Sequence, residues 1–327
     1  MKHIIIRVDT GGFHGMGHAV RMCALAQELM KHGCHPIFAS ITRDALRDMT
    51  DFPCIHWLYD DDYVLDADGY ILDTKSWIQE DEDFIIQQKA QGKKVVWIDR
   101  QEVSPSSCDM VIAPAMHWKK SIITRICDDF GDNFLYGPAY VMLSDELSKT
   151  LPNPYDKRTY TPIVFCAGGS DPSRALQRMH NWTDDLDIKD GFLIFAHPPG
   201  LIPQSRYSRS TFTMTCPFER NFLRNASLVV GMFGVTAYEC LYYQTPMLVM
   251  GHTEENVLGA ELLAERSHGA IECMRHIDNM RPDVFRDVIT AYWETQSERR
   301  TMSTAAGMIG LDGKGISRVA NAILDLK

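Results

Sequence analysis

No stretch of this 327-residue chain approaches the ~18 consecutive apolar residues of a membrane span, and Met1-Lys2-His3 leads into only a short apolar run. A soluble, unprocessed protein is expected. An excess of positive charge is also lacking. The formal charge is −10, which argues against nucleic acid as the main partner and leaves room for a small anion site. The 9 cysteines are odd in number, dispersed and without a Cys-x-x-Cys pair, so neither a disulfide framework nor a structural zinc site is indicated. Reduced thiols in a cytoplasm are expected. His32, His35, His56, His117 and His197 lack metal-ligand spacing with acids or thiols, so no metal or cofactor is assigned. Low-complexity tracts and short-period repeats are absent as well. What is present is a globular composition, 45% hydrophobic and 23% charged, in a chain long enough for two cores.

The most informative segment runs from Arg7 to Arg21. Lys2-His3-Ile4-Ile5-Ile6-Arg7-Val8 is short enough for a buried parallel strand, and Met22, Leu25, Ala26, Leu29 and Met30 follow at helical spacing. Between them lie Asp9 and the turn Gly11-Gly12-Phe13-His14-Gly15-Met16-Gly17-His18. Glycines such as Gly15 and Gly17 let a ligand approach the backbone, and the free N–H groups of a new helix favour a phosphate or carboxylate. His18 falls in the first helical turn, where the macrodipole disfavours added positive charge, and it reads as a general base. Asp9, at the carboxyl end of the strand, is placed to orient that ring or to hold a substrate hydroxyl. Arg21 shares the helix face of His18 and is placed to pair with a phosphate or with a nearby carboxylate. The string is not the dinucleotide fingerprint, because a third glycine and an acidic ribose partner about 20 residues on are missing.

Strand and helix signals alternate along the whole chain. Residues 4–8, 36–40, 69–73, 94–99 and 110–113 read as strands, and 19–31, 42–49 and 76–91 as helices. Two of these strands end in aspartates, Asp73 and Asp99, on the ligand side of such a sheet. Gly137-Pro138-Ala139-Tyr140 marks a turn, and the proline-rich residues 151–156 a linker. The alternation restarts at 162–167 and continues with strands at 192–196, 227–230 and 247–250 and a helix at 257–266. The expected architecture is α/β: two Rossmann-like domains, 1–150 and 157–327, with a ligand cleft between them. Gly168, Gly169, Ser170 and Asp171 offer backbone donors to a diphosphate, as do Gly234, Val235 and Thr236 at a second glycine turn. Asp171-Pro172 fits a helix cap equally well. Glu239, one turn into the next helix, is placed either to accept two ribose hydroxyls or to stand as an exposed helix glutamate. Met16, Met22, Met30, Met232, Met247 and Met250 read as core fillers.

Taken together, several motifs resemble a known family. They are Arg-x-Asp followed by Gly-x-Gly-His-x-x-Arg, the aspartates Asp73 and Asp99, Cys108-Asp109 and Gly137-Pro138-x-Tyr140. Gly168-Gly169-Ser170-Asp171-Pro172, Glu239 and Asp312-Gly313-Lys314-Gly315-x-x-Arg318 complete the set. The pattern looks like the UDP-2,4-diacetamido-2,4,6-trideoxy-β-L-altropyranose hydrolase of pseudaminic acid biosynthesis, a family that includes spore-coat polysaccharide proteins. That family is similar in fold to two-domain GT-B glycosyltransferases, including the enzyme that adds N-acetylglucosamine to the peptidoglycan lipid precursor. The resemblance implies a UDP-sugar substrate with its nucleotide on the second domain. It also implies that His18 activates water for attack at the anomeric carbon, with inversion and UDP as leaving group, and that no metal takes part. On the substrate side it implies Gly15, Gly17, Arg21, Asp73, Asp99 and Tyr140. The family's asparagine-glutamine pair falls at Glu255-Asn256-Val257, where only Asn256 keeps an amide, and Arg100 and Leu143-Ser144 also depart from the pattern. These departures bear on sugar specificity more than on the nucleotide site, and they leave a glycosyltransferase using the same site as the alternative.

Overall fold

The computed structural model describes residues 2–10, 16–57, 67–158, 162–168, 171, 173–184, 186–189, 191–197, 204–208 and 211–326. Gly15, Gly169 and Ser170 of the glycine motifs lie outside the described residues. The chain forms two compact units, Met1–Ser148 with Asp312–Lys327, and Lys149–Leu311. No helix among the described residues is long and apolar enough to cross a membrane.

The first unit alternates β1 (Lys2–Val8), α1 (Gly17–Lys31), β2 (Cys34–Ser40), α2 (Arg43–Arg47), β3 (Cys54–His56) and β4 (Gly69–Asp73). It continues through α3 (Gln79–Ala90), β5 (Lys94–Ile98), β6 (Met110–Ala113), α4 (Lys120–Phe130), β7 (Phe134–Tyr136) and α5 (Asp145–Ser148). Its seven strands are all parallel, in the order β3-β2-β1-β4-β5-β6-β7. A central parallel strand is covered on both faces, which is why β1 is a continuous apolar run. Ile4, Ile6 and Val8 pack with α1, and Ile5 packs in the opposite layer. On α1, Met22, Leu25, Ala26 and Leu29 recur every three or four residues and bury one stripe. Each buried leucine there contributes ~1.5–3 kcal/mol. The strand order reverses between β1 and β4, and such a switch point opens a crevice at the carboxyl ends of the strands.

The second unit repeats the plan with β8 (Ile163–Cys166), α6 (Ala175–Trp182), β9 (Phe192–His197), β10 (Gln204–Ser208), β11 (Thr211–Pro217) and α7 (Arg220–Asn225). Then follow β12 (Leu228–Met232), α8 (Val235–Tyr243), β13 (Met247–Gly251), α9 (Glu254–Arg266), β14 (Ile271–His276), α10 (Pro282–Glu294) and α11 (Gln296–Ile309). The sheet order is β10-β11-β9-β8-β12-β13-β14, parallel except for the β10–β11 edge. Its switch point lies between β8 and β12, so the loops after those strands flank it. Met22, Met232, Met247 and Met250 are core residues as expected, whereas Met16 and Met30 are exposed.

One expectation is corrected here. The last helix, α12 (Gly315–Asp325), belongs to the first unit and not to a second domain running to 327. The reason is its apolar stripe: Ile316, Val319 and Ala320 join the core on the α1 side. Ser317 Oγ donates to Glu28 Oε1 at 2.9 Å, and Arg318 Nη1 donates to the Ala139 carbonyl at 3.0 Å. Two motifs far apart in sequence, Gly137–Tyr140 and Asp312–Arg318, therefore meet. Gly315 is required by this close approach, since a Cβ there would overlap the Val141 carbonyl oxygen. Gly315→Ala is expected to destabilise the chain by ~1–3 kcal/mol through overpacking against fixed backbone, read as a lower urea midpoint. An unchanged midpoint would mean that α12 docks without this contact.

Candidate active site

In the first unit, two strand ends and one helix bring four side chains together. His18 and Arg21 lie on one face of α1, Asp73 ends β4, and Asp99 follows β5. Arg21 donates from Nε to Asp73 Oδ2 at 2.6 Å, from Nη2 to Asp73 Oδ1 at 2.5 Å, and from Nη1 to Asp99 Oδ2 at 3.1 Å. This is the two-pronged geometry that suits guanidinium and carboxylate. His18 Nδ1 lies 2.6 Å from Asp73 Oδ1. Two acceptors do not face each other at that distance, so Nδ1 is the donor and the Asp73 carboxylate accepts. Arg21 Nη2, 3.0 Å from Nδ1, is a second donor converging on the same carboxylate.

The charges account for the protonation states. Burial works to raise the Asp73 pKa, but Arg21 and His18 outweigh it and hold the carboxyl at about 2. Asp99, also raised by burial, ends below its ordinary range because Arg21, His18 and His117 face it. Burial opposes the charge on Arg21, and Asp73 and Asp99 reverse that effect, so its pKa rises. Asp99 reaches Arg21 from a left-handed backbone conformation, φ 60, a local cost of about 1 kcal/mol or more. Trp118 Nε1 donates to its other oxygen, Oδ1, at 3.2 Å.

The carboxylate that orients the His18 ring is Asp73, which corrects the expectation for Asp9. Asp9 Oδ1 accepts from Arg7, from Ser40 Oγ at 2.9 Å and from the Ile41 N–H at 3.1 Å, and Oδ2 accepts from Thr74 Oγ1 at 2.6 Å. Burial raises its pKa, but Arg7, Thr74 and Ser40 more than offset this and leave it lowered. With 2% of its surface exposed, Asp9 ties the end of β1 to residues at or just beyond the ends of β2 and β4. Arg21 takes the carboxylate pairing, not the phosphate one. Gly17 opens α1, whose start has no side-chain cap. Tyr140 packs on the core beneath α1 and α12.

In the second unit, Asp171 accepts the Ala175 and Leu176 N–H groups at 2.6 and 3.2 Å. It caps α6 and occupies donors that a phosphate would need, so the capping alternative holds there. Gly168 turns the chain at φ 77. Gly234 precedes α8, which has no side-chain cap, and Gly234 and Val235 are exposed while Thr236 is half-buried. Glu239 is buried and not an exposed helix residue: burial raises its pKa, opposed by Arg220, whose Nε lies 3.3 Å from Oε1. Glu255 is exposed and Asn256 half-buried in the first turn of α9. Sequence reasoning missed Ser40, Thr74, Trp118 and His252. Three of these, Ser40, Thr74 and His252, sit at or just beyond a parallel strand's carboxyl end, and that position is a readable signal.

No protein-family model and no curated protein matches the chain. Solved structures do match over its whole length. MurG of Acinetobacter baumannii is 13% identical, covers 99% of each chain and has a TM-score of 0.64. S. aureus MnaA, in a co-structure with UDP, is 13% identical over 100% of this chain and 98% of its own, TM-score 0.62. The spinosyn rhamnosyltransferase SpnG is 14% identical over 100% and 97%, TM-score 0.59. The chain thus has the GT-B fold, two Rossmann-like units each built on a parallel sheet.

The depressed Asp73 pKa has a consequence for stability. A carboxyl held below its unfolded value stabilises the fold above that value and loses the contribution as pH falls through the folded one. Between the ordinary 3.8 and about 2, the native chain is expected to lose about 2 kcal/mol that Asp73→Asn does not lose. Urea midpoints of both chains at pH 4.5 and pH 2.5 check this, and parallel losses would show that Asp73 is not so paired.

Proposed function

We propose that this protein hydrolyses a UDP-linked diacetamido-trideoxy sugar to UDP and free sugar, by attack of water at the anomeric carbon with inversion. The observation that carries the reading is the 2.6 Å hydrogen bond between His18 Nδ1 and Asp73. It directs the lone pair of Nε2 outward, which is what a general base acting on an O–H nucleophile requires. In the reaction the water oxygen bonds to the anomeric carbon and its proton passes to Nε2. The bond from that carbon to the diphosphate breaks, and the electron pair leaves with UDP. Asp73 keeps the ring oriented and offsets the positive charge it acquires. The open start of α8 supports a diphosphate there, because its N–H groups and helix dipole favour negative charge. A UDP-bound relative of the same fold, MnaA, supports the same nucleotide. Tyr140, Glu255 and Asn256 stay with the sugar in this reading, as the motif resemblance implies. All nine cysteines are free, in keeping with a reducing compartment such as the cytoplasm.

A second reading is a glycosyltransferase, favoured by the rhamnosyltransferase SpnG among the structural matches. The same base would then deprotonate an acceptor hydroxyl instead of water. A panel of UDP-sugars incubated without acceptor separates the two. Release of UDP and free sugar is expected, falling at least ~100-fold in His18→Ala. Tight UDP binding with no release would instead favour the transferase.

A further inference from the structure

The loop after β5 fixes Asp99 from both sides. Ile98, the last residue of β5, is buried, and the Asp99 N–H donates to the Ile112 carbonyl at 2.8 Å. Arg100, next in the chain, places its guanidinium carbon 4.4 Å from the centre of the Trp97 ring and 5.3 Å from that of Trp77. Its Nε donates to the Glu102 carbonyl at 3.0 Å. Cation–ring contacts of this kind fasten the side chain that makes them. Asp99 itself lies at φ 60, a conformation that persists in a residue with a Cβ where the surroundings hold it. The outcome is a carboxylate presented in one direction, Oδ1 accepting from Trp118 and Oδ2 from Arg21.

Across the site, two donors converge on one oxygen. His18 Nδ1 and Arg21 Nη2 lie 2.6 and 2.5 Å from Asp73 Oδ1, and 3.0 Å from each other. A guanidinium is a rigid planar fork, so the place of Nη2 is set by what holds its other nitrogens. Nε is tied to Asp73 Oδ2 at 2.6 Å and Nη1 to Asp99 Oδ2 at 3.1 Å. With Nη1 released, the fork is free to turn on Asp73, and Nη2 then takes over Oδ1 at the expense of Nδ1.

We infer that Asp99 is a positioning residue for His18, acting through Arg21 and not on the sugar: by holding Nη1 it keeps the guanidinium turned so that Asp73 Oδ1 accepts from the His18 ring as well as from Nη2. This rests on His18 as the base of the reading above. It moves Asp99 from the substrate side, where the motif resemblance puts it, to the support of that base.

Glycine and asparagine both tolerate a left-handed backbone, so Asp99→Gly and Asp99→Asn remove the carboxylate without adding strain. The asparagine amide oxygen can still accept from one of the two donors. Nitrogen NMR shifts of the His18 ring in the unliganded full chain, assigned by their loss in His18→Gln, report which ring nitrogen carries a proton. The native ring is expected to keep Nδ1 protonated throughout a titration to alkaline pH. Asp99→Gly is expected to show a form with the proton on Nε2 alone, while the amide spectrum away from the site stays that of the native chain. For release of UDP from the UDP-linked diacetamido-trideoxy sugar, kcat is expected to fall about tenfold or more in Asp99→Gly and less in Asp99→Asn, with KM unchanged. Native ring shifts in Asp99→Gly would overturn the inference, whatever the rates. A raised KM at native kcat would overturn it by putting Asp99 on the sugar, and a general loss of the amide spectrum by giving Asp99 a role in the fold alone. A native chain that releases no UDP would overturn the hydrolytic reading, and the ring shifts, which need no substrate, would still decide whether Asp99 sets the ring.

Discussion

The guanidinium of Arg21 lies between Asp73 and Asp99, and the first unit's site depends on it. Two carboxylates at neighbouring strand ends repel one another, and burial makes the repulsion stronger because little water screens it. Arg21 resolves this by giving two donors to Asp73 and a third to Asp99. Such a buried cluster is a weak source of net stability, since removing its charges from water is costly. It does fix geometry. With Asp73 held by two hydrogen bonds from Arg21, its Oδ1 has one orientation left in which to receive the His18 ring. One guanidinium facing two carboxylates also leaves the cluster one positive charge short.

The fold makes this cluster possible at little extra cost. A doubly wound sheet brings the carboxyl ends of β1, β4 and β5 side by side, so residues 9, 73 and 99 become neighbours although they are far apart in sequence. That much was legible, because apolar strands ending in aspartate are a clear pattern. What was not legible is which aspartate faces the histidine. Asp9 and Asp73 look alike in sequence, and the difference comes from Arg7 in β1, Ser40 at the end of β2 and Thr74 just beyond β4, which engage Asp9. Only register and packing bring those residues together.

The same limit explains the elements that the pattern reading omitted. β3 and β7 have only three residues each, too short for a periodicity to emerge. β14 buries only Ile271 and Met274, without the two-residue alternation of a regular strand, and its sequence, Ile-Glu-Cys-Met-Arg-His, is weakly apolar. The helix α12 carries a readable stripe at Ile316, Val319 and Ala320. No local signal, however, says that the chain returns to its first unit to bury it. Gly315 and Arg318 record that return, but their partners, Val141 and Ala139, lie more than 170 residues upstream.

The second unit shows that a glycine-rich loop and a helix start are not by themselves a phosphate site. The loop after β8 has the more suggestive sequence, but its aspartate takes up the first donors of α6. The less conspicuous loop after β12 leaves its helix start uncapped. A backbone N–H can serve a cap or a ligand, not both, so the available donors rank these loops in the reverse of the order their glycine content implies.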